Sequence, residues 1–167
     1  MKKILLIFIY IASFTLTQAL QISEVMSNPT GDDSGREWIE VYNNTQESVD
    51  LTGLTISIKG GNAVITSSVS GGTILPANGY AIIGSTVSGA TKFLQDYPLY
   101  NGLLLKSSIS LVNTGVTSID IRINGSVVDL LPSYTAAKEG STLSLLNGSF
   151  VVGTPTPGSS NQASSQE

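Results

Sequence analysis

REWIEVYNN, residues 36–44, is the stretch on which the reading of this chain turns. As a strand, its side chains alternate between two faces. Glu37, Ile39, Val41 and Asn43 share one face; Trp38, Glu40 and Tyr42 share the other. Both faces carry apolar groups, so the alternation alone does not name the core side. Ile39 and Val41 are β-branched and match the aliphatic faces of two hairpins downstream, which need apolar partners across a sandwich. They are therefore read as core. That turns Trp38, Glu40 and Tyr42 outward or toward an edge, and makes Glu40 a carboxylate in water rather than a buried acid with a raised pKa.

Short strands separated by turn signals extend from this stretch in both directions, with no long helical period. LQISEVMSN (20–28) precedes it, joined by the loop NPTGDDSG (28–35). LTISIK (54–59), NAVIT (62–66), TILPANGYAIIGS (73–85) and SISLVN (108–113) follow as further strands. TKFLQDYP (91–98) is the one helical candidate: Phe93 and Tyr97 would share a face, and Pro98 ends it. SIDIRINGSVVDLL and STLSLLNGSFVV each carry Asn-Gly between alternating strands, the mark of a two-residue type I′ hairpin. The first hairpin would set Asp120 opposite Asp129 and gather Ile119, Ile121, Ile123, Val128 and Leu130 on a core face. The second would gather Leu143, Leu145, Phe150 and Val152. After Gly153 the chain is rich in Pro, Ser and Gly, and is predicted to be a flexible tail.

The bulk numbers narrow the chemistry. The chain has 167 residues with neither Cys nor His. Disulfides, a Cys nucleophile, a Ser-His-Asp triad and an ordinary zinc site are therefore excluded. The net charge is −4, and loss of Lys2 and Lys3 with a leader would make it more negative, which argues against a nucleic-acid partner. Those lysines, the apolar run Ile4–Thr17 and the small-x-small site Thr17-Gln18-Ala19 form a secretory signal-peptide pattern, read as cut after Ala19; the alternative is an uncleaved membrane anchor, for which the run is short. No second long apolar segment follows, so no membrane span is expected after cleavage.

In this order and spacing, the pieces resemble a lamin-tail domain of the exported microbial kind, from about Leu20 to Asn161. ISEVMSNPTGDDSGREWIEVYNN resembles the family's opening strand, acidic Gly-rich loop and aromatic-aliphatic-acid strand. VDLTGLTIS, ILPANGYAIIG, SLVNTGVTSIDIRINGSVVDLLPSY and GTPTPGSSN resemble its later segments, the last being a closing Thr-Pro-Gly…Asn signature. The resemblance implies an all-β, immunoglobulin-like sandwich of about eight or nine short strands. It also implies an interaction module with no catalytic residues to carry over. There is no coiled-coil rod, so the family's filament assembly is not carried over.

The expected organisation is a signal peptide over 1–19, an Ig-like domain over 20–153 and a flexible tail over 154–167. Three groups of residues are candidates for chemistry. Asp32, Asp33 and Glu37, with Ser34 and Glu24 nearby, offer hard oxygen ligands for calcium, although the spacing is not an EF-hand. Asp120 and Asp129, with Arg122 beside them, read as a surface cluster, a cation site or an acid-base dyad. Trp38, Glu40 and Tyr42 read as a sugar platform, a protein-docking patch or a stripe covered by a neighbouring segment. The sequons at Asn43, Asn124 and Asn147 are explained in two cases by their turns. The resulting expectation is a secreted or envelope-associated, non-enzymatic module with a protein or glycan partner at the cell surface. The alternative is a carbohydrate-binding module using Trp38 and Tyr42, with calcium if any cofactor at all.

Overall fold

Apolar residues at every second position dictate strands, and most of the strands expected above pair into sheets. The computed structural model describes residues 19–61, 64–85 and 87–164; the leader predicted over 1–19 lies outside them but for Ala19. Among the described residues the strands are β1 (Leu20–Met26), β2 (Trp38–Asn43), β3 (Val49–Asp50), β4 (Leu54–Ile58), β5 (Val64–Ile65), β6 (Ser67–Ser70), β7 (Ile74–Leu75) and β8 (Tyr80–Gly84). After helix α1 (Val87–Asp96) come β9 (Leu103–Lys106), β10 (Val116–Ile123), β11 (Ser126–Thr135), β12 (Thr142–Leu146), β13 (Ser149–Thr154) and β14 (Gln162–Ala163). Four two-residue strands bring the count among the described residues to fourteen; the ten longer ones compare with the eight or nine expected.

An eight-stranded sheet runs β14-β13-β12-β1-β2-β8-β9-β6, and a four-stranded sheet runs β11-β10-β4-β5. Ile22, Val25, Ile39, Val41 and Ile83 of the larger sheet join Leu54, Ile56, Ile119 and Ile121 of the smaller one in a single buried core. The structure is the immunoglobulin-like sandwich expected, with Ile39 and Val41 on its core face. The larger sheet is covered on its other face too. There α1 lays Ala90 and Phe93 over Met26, Trp38, Ile82 and Leu104.

The helix also explains an unexpected pairing. β8 and β9 run parallel, Ile82 beside Leu104, and parallel neighbours need a crossover, which α1 supplies. The predicted strand over 108–113 is irregular instead. Ile109 and Leu111 are nonetheless buried, and the Leu111 N–H donates to the Glu37 carboxylate at 3.2 Å rather than to a strand.

Both Asn-Gly turns have positive φ at each central residue, as type I′ requires: 51° and 81° at Asn124-Gly125, 50° and 79° at Asn147-Gly148. The second hairpin keeps its expected register, Leu145 opposite Phe150 and Leu143 opposite Val152. The first slips. After Arg122 opposite Val127, the ladder shifts so that Ile121 faces Asp129 and Asp120 faces Leu130. The expected Asp120–Asp129 pair therefore does not form. Leu131, only 4% exposed, takes the core place expected of Leu130, which is 51% exposed. The irregularity parts two like charges that would repel if opposed. Asp120 accepts from Arg122 at 2.6 Å, and Asp129 accepts the Ile22 N–H, also at 2.6 Å.

Trp38 gives a direct check on the two-sided sheet. Trp38→Ala is expected to lower unfolding free energy by about 3–5 kcal/mol, as for a large buried aromatic. Urea denaturation measures it. A loss within about 0.5 kcal/mol, usual for a surface residue, would contradict a covered face.

Candidate functional site

The covered face of the large sheet carries the unusual chemistry, and a single extra residue in β1 puts it there. Ile22 pairs with Val41, but the next pairing is Glu24 with Glu40, so Ser23 is a bulge. A bulge shifts the inside–outside alternation by one. Val25 consequently enters the core, and Glu24 turns to the other face, directly opposite Glu40.

Both carboxyls are wholly buried. Glu40 Oε1 accepts from Ser23 Oγ at 2.7 Å, and Oε2 accepts from the Gly158 N–H at 2.6 Å. Glu24 Oε1 accepts from Thr142 Oγ1 at 2.7 Å and Ser144 Oγ at 3.0 Å, while Oε2 accepts from the Thr156 N–H at 3.1 Å. Asn161 Nδ2 adds bonds to the carbonyls of Ser23 at 2.7 Å and Leu145 at 3.1 Å. The segment Pro155–Asn161 is thereby strapped across the sheet, and β14 then pairs Gly153 with Ala163.

Two expectations are corrected here. Glu40 is not a surface carboxylate, and its stripe is not exposed: Trp38 is fully buried, edge-on to Phe93 at 6.0 Å and Tyr97 at 5.9 Å. Tyr42 alone of the three stays partly open, stacked on Tyr80 at 4.8 Å. Nor is the segment after 153 a flexible tail through Ala163. It has too little apolar surface to look ordered, but its backbone N–H groups find buried acceptors; residues 165–167 lie outside the described structure.

The proposed calcium loop does not converge either. Asp32 accepts from the Ser34 N–H at 3.1 Å and meets Lys92 at 3.4 Å. Asp33 accepts from the Asn113 amide, and Glu37 from Leu111. Each acid answers a different partner, and no three acidic side chains among the described residues are grouped to hold a metal ion. The sequon residue Asn43 is buried, its amide donating to the carbonyls of Glu47 at 2.7 Å and Pro76 at 2.9 Å.

Beside the strap lies an open groove of about 860 Å³. Tyr80, Tyr97, Tyr100, Leu99, Pro155 and Pro157 line it. Tyr97 packs on Phe93 at 4.9 Å, and its burial pushes the phenol up to about 12. Tyr100 donates to the Leu103 carbonyl at 2.6 Å. Leu99, between them, is 94% exposed. None of these groove residues was a candidate from the sequence. The available signals were Phe93 and Tyr97 at helical spacing and the Thr-Pro-Gly…Asn segment.

The two packed sheets define the chain as an immunoglobulin-like β-sandwich domain. Within that class, the family profile described as Lamin Tail Domain matches residues 15–152, and the chain belongs to that family. No curated protein shows significant similarity to the chain.

Burial pushes the Glu40 carboxyl from 4.5 up to about 8, against the bonds from Ser23 and Gly158, and the Glu24 charge adds to the rise. Glu24 is raised by its own burial. A carboxyl whose pKa is higher folded than unfolded holds extra protons in the folded state between the two values. Its stabilising effect is therefore complete below about 4.5 and declines as pH rises toward about 8. Melting temperature is expected to fall from pH 5 to pH 8, and Glu40→Gln to flatten that slope. Glu37, raised to about 7 by burial, should leave a residual slope. Calorimetry across this range decides it; a melting temperature that climbs with pH would contradict a buried, proton-holding Glu40.

Proposed function

We propose that this chain is a non-catalytic interaction module of the exported microbial kind, working at the cell envelope or outside the cell, with the groove as its contact surface. One observation carries the reading. The buried acids Glu24 and Glu40 are held by the protein's own backbone and side chains, whereas the groove's aromatic and apolar side chains are left open. Tyr and other aromatics supply contact area at low entropic cost, as binding surfaces require. The signal-peptide pattern of the first nineteen residues supports export, and no helix among the described residues is long and apolar enough to cross a membrane. The earlier alternative, sugar binding through Trp38 and Tyr42, loses its support because Trp38 has no open face.

Two measurements test this. N-terminal sequencing of the secreted form should begin at Leu20; a retained leader would contradict cleavage. The purified chain should co-sediment with envelope fractions of its source cell, and Leu99→Asp should reduce that at least tenfold without changing melting temperature. Equal sedimentation of the two would remove the groove from the contact.

A further inference from the structure

We infer that the groove takes an extended, uncharged, proline-rich peptide segment of a partner, laid alongside the strap. This inference rests on the groove being the contact surface and names its ligand class. The first ground is that one wall of the groove is itself a proline-rich stretch packed on tyrosine. Pro155-Thr156-Pro157-Gly158 forms this wall, turned by the Ser159 N–H donating to the Thr156 carbonyl at 3.0 Å, and Gly158 sits against the Tyr100 ring so closely that a Cβ there would lie 3.0 Å from it. Polyproline segments dock on aromatic-lined surfaces because their shape is preset, so little chain entropy is lost on binding.

The second ground is the other wall. The turn closed by the Tyr100 N–H to the Tyr97 carbonyl, 3.0 Å, holds Pro98 and Leu99 outward. Leu99 is the most exposed large apolar residue among those described. Strap and turn together bound a trough of about 860 Å³, within the usual range for ligand sites.

The third ground is charge. Neither Lys nor Arg lines the groove, so an anionic ligand has no counter-charge there. The lining acid, Asp96, meets Arg36 at 3.4 Å. What remains polar is amide: Asn78 accepts from the Tyr42 hydroxyl at 3.3 Å, which leaves its N–H₂ to donate, and Asn101 also lines the groove. A polyproline backbone presents unpaired carbonyls and lacks many N–H groups, so it needs donors of this kind. A saccharide would present many hydroxyls to a trough lined chiefly by Tyr, Pro and Leu, with few groups to answer them.

The test is shift mapping of the full chain, by amide NMR, with a blocked Thr-Pro octapeptide, a Thr-Ala octapeptide and neutral oligosaccharides. The Thr-Pro peptide should give saturable shifts at residues 78–80, 97–103 and 155–159. The Thr-Ala peptide should bind at least fivefold more weakly, and Leu99→Asp should weaken the Thr-Pro peptide at least tenfold with the melting temperature unchanged. Asn101→Ala should weaken it less, and serves as a second, exposed variant. No saturable shift with Thr-Pro, shifts away from the groove, or equal binding by Leu99→Asp would each overturn the inference. Groove shifts with an oligosaccharide alone would overturn the ligand class and leave the groove as contact surface. Silence of the groove to every probe, together with envelope binding that ignores Leu99→Asp, would overturn both.

Discussion

Glu24 and Glu40 stand directly opposite one another on neighbouring central strands, both out of water and with no basic side chain among their hydrogen-bond partners. Two carboxyls so placed would be severely destabilising unless donors surround them and at least part of their charge is neutralised by protons. The strap meets the first requirement: the N–H groups of Thr156 and Gly158 reach the two acids, and the hydroxyls of Ser23, Thr142 and Ser144 complete the set. The raised pKa of Glu40 reflects the second. The acids and the strap are therefore interdependent. Without the strap the carboxyls would lose two backbone donors, and without the carboxyls the strap would lose its bonds at Thr156 and Gly158 and be held by Asn161 and the β13–β14 pairing.

The same interdependence shapes the surface. The strap lies down on the β1–β2 side of the sheet's second face and α1 on its β8–β9 side, and the trough lies between them. Trp38 anchors the helical part, gripped edge-on by Phe93 and Tyr97, and that packing leaves the turn at Pro98 and Leu99 projecting. The groove is thus a by-product of how a two-sided sheet is covered by two different devices, one apolar and one polar.

Much of this was legible in the residues. Ile39 and Val41 as core, the Asn147-Gly148 register, and a helical turn around Phe93 and Tyr97 all follow from local alternation and turn chemistry, and all are present. Two departures share one cause. In β1 the bulge at Ser23 moved Glu24 to the face of Glu40; between β10 and β11 a register shift separated Asp120 from Asp129. A one-residue shift leaves no trace in a period-two pattern until the partner strand is known. Glu40 was misplaced for a different reason: a carboxyl between two aromatics on a strand looks solvated unless something polar arrives to cover it.

Local residue order determined the fold class, the core side of the second strand and the two hairpin turns, because these depend on side-chain alternation and on φ preferences of single residues. Only the tertiary structure decided that Trp38 and Glu40 are buried, that Pro155–Asn161 is ordered, and that a tyrosine-lined groove lies beside it. Those outcomes join residues far apart in the chain, as Trp38 meets Phe93 and Gly158 meets Glu40, and no local pattern in either segment announces the other.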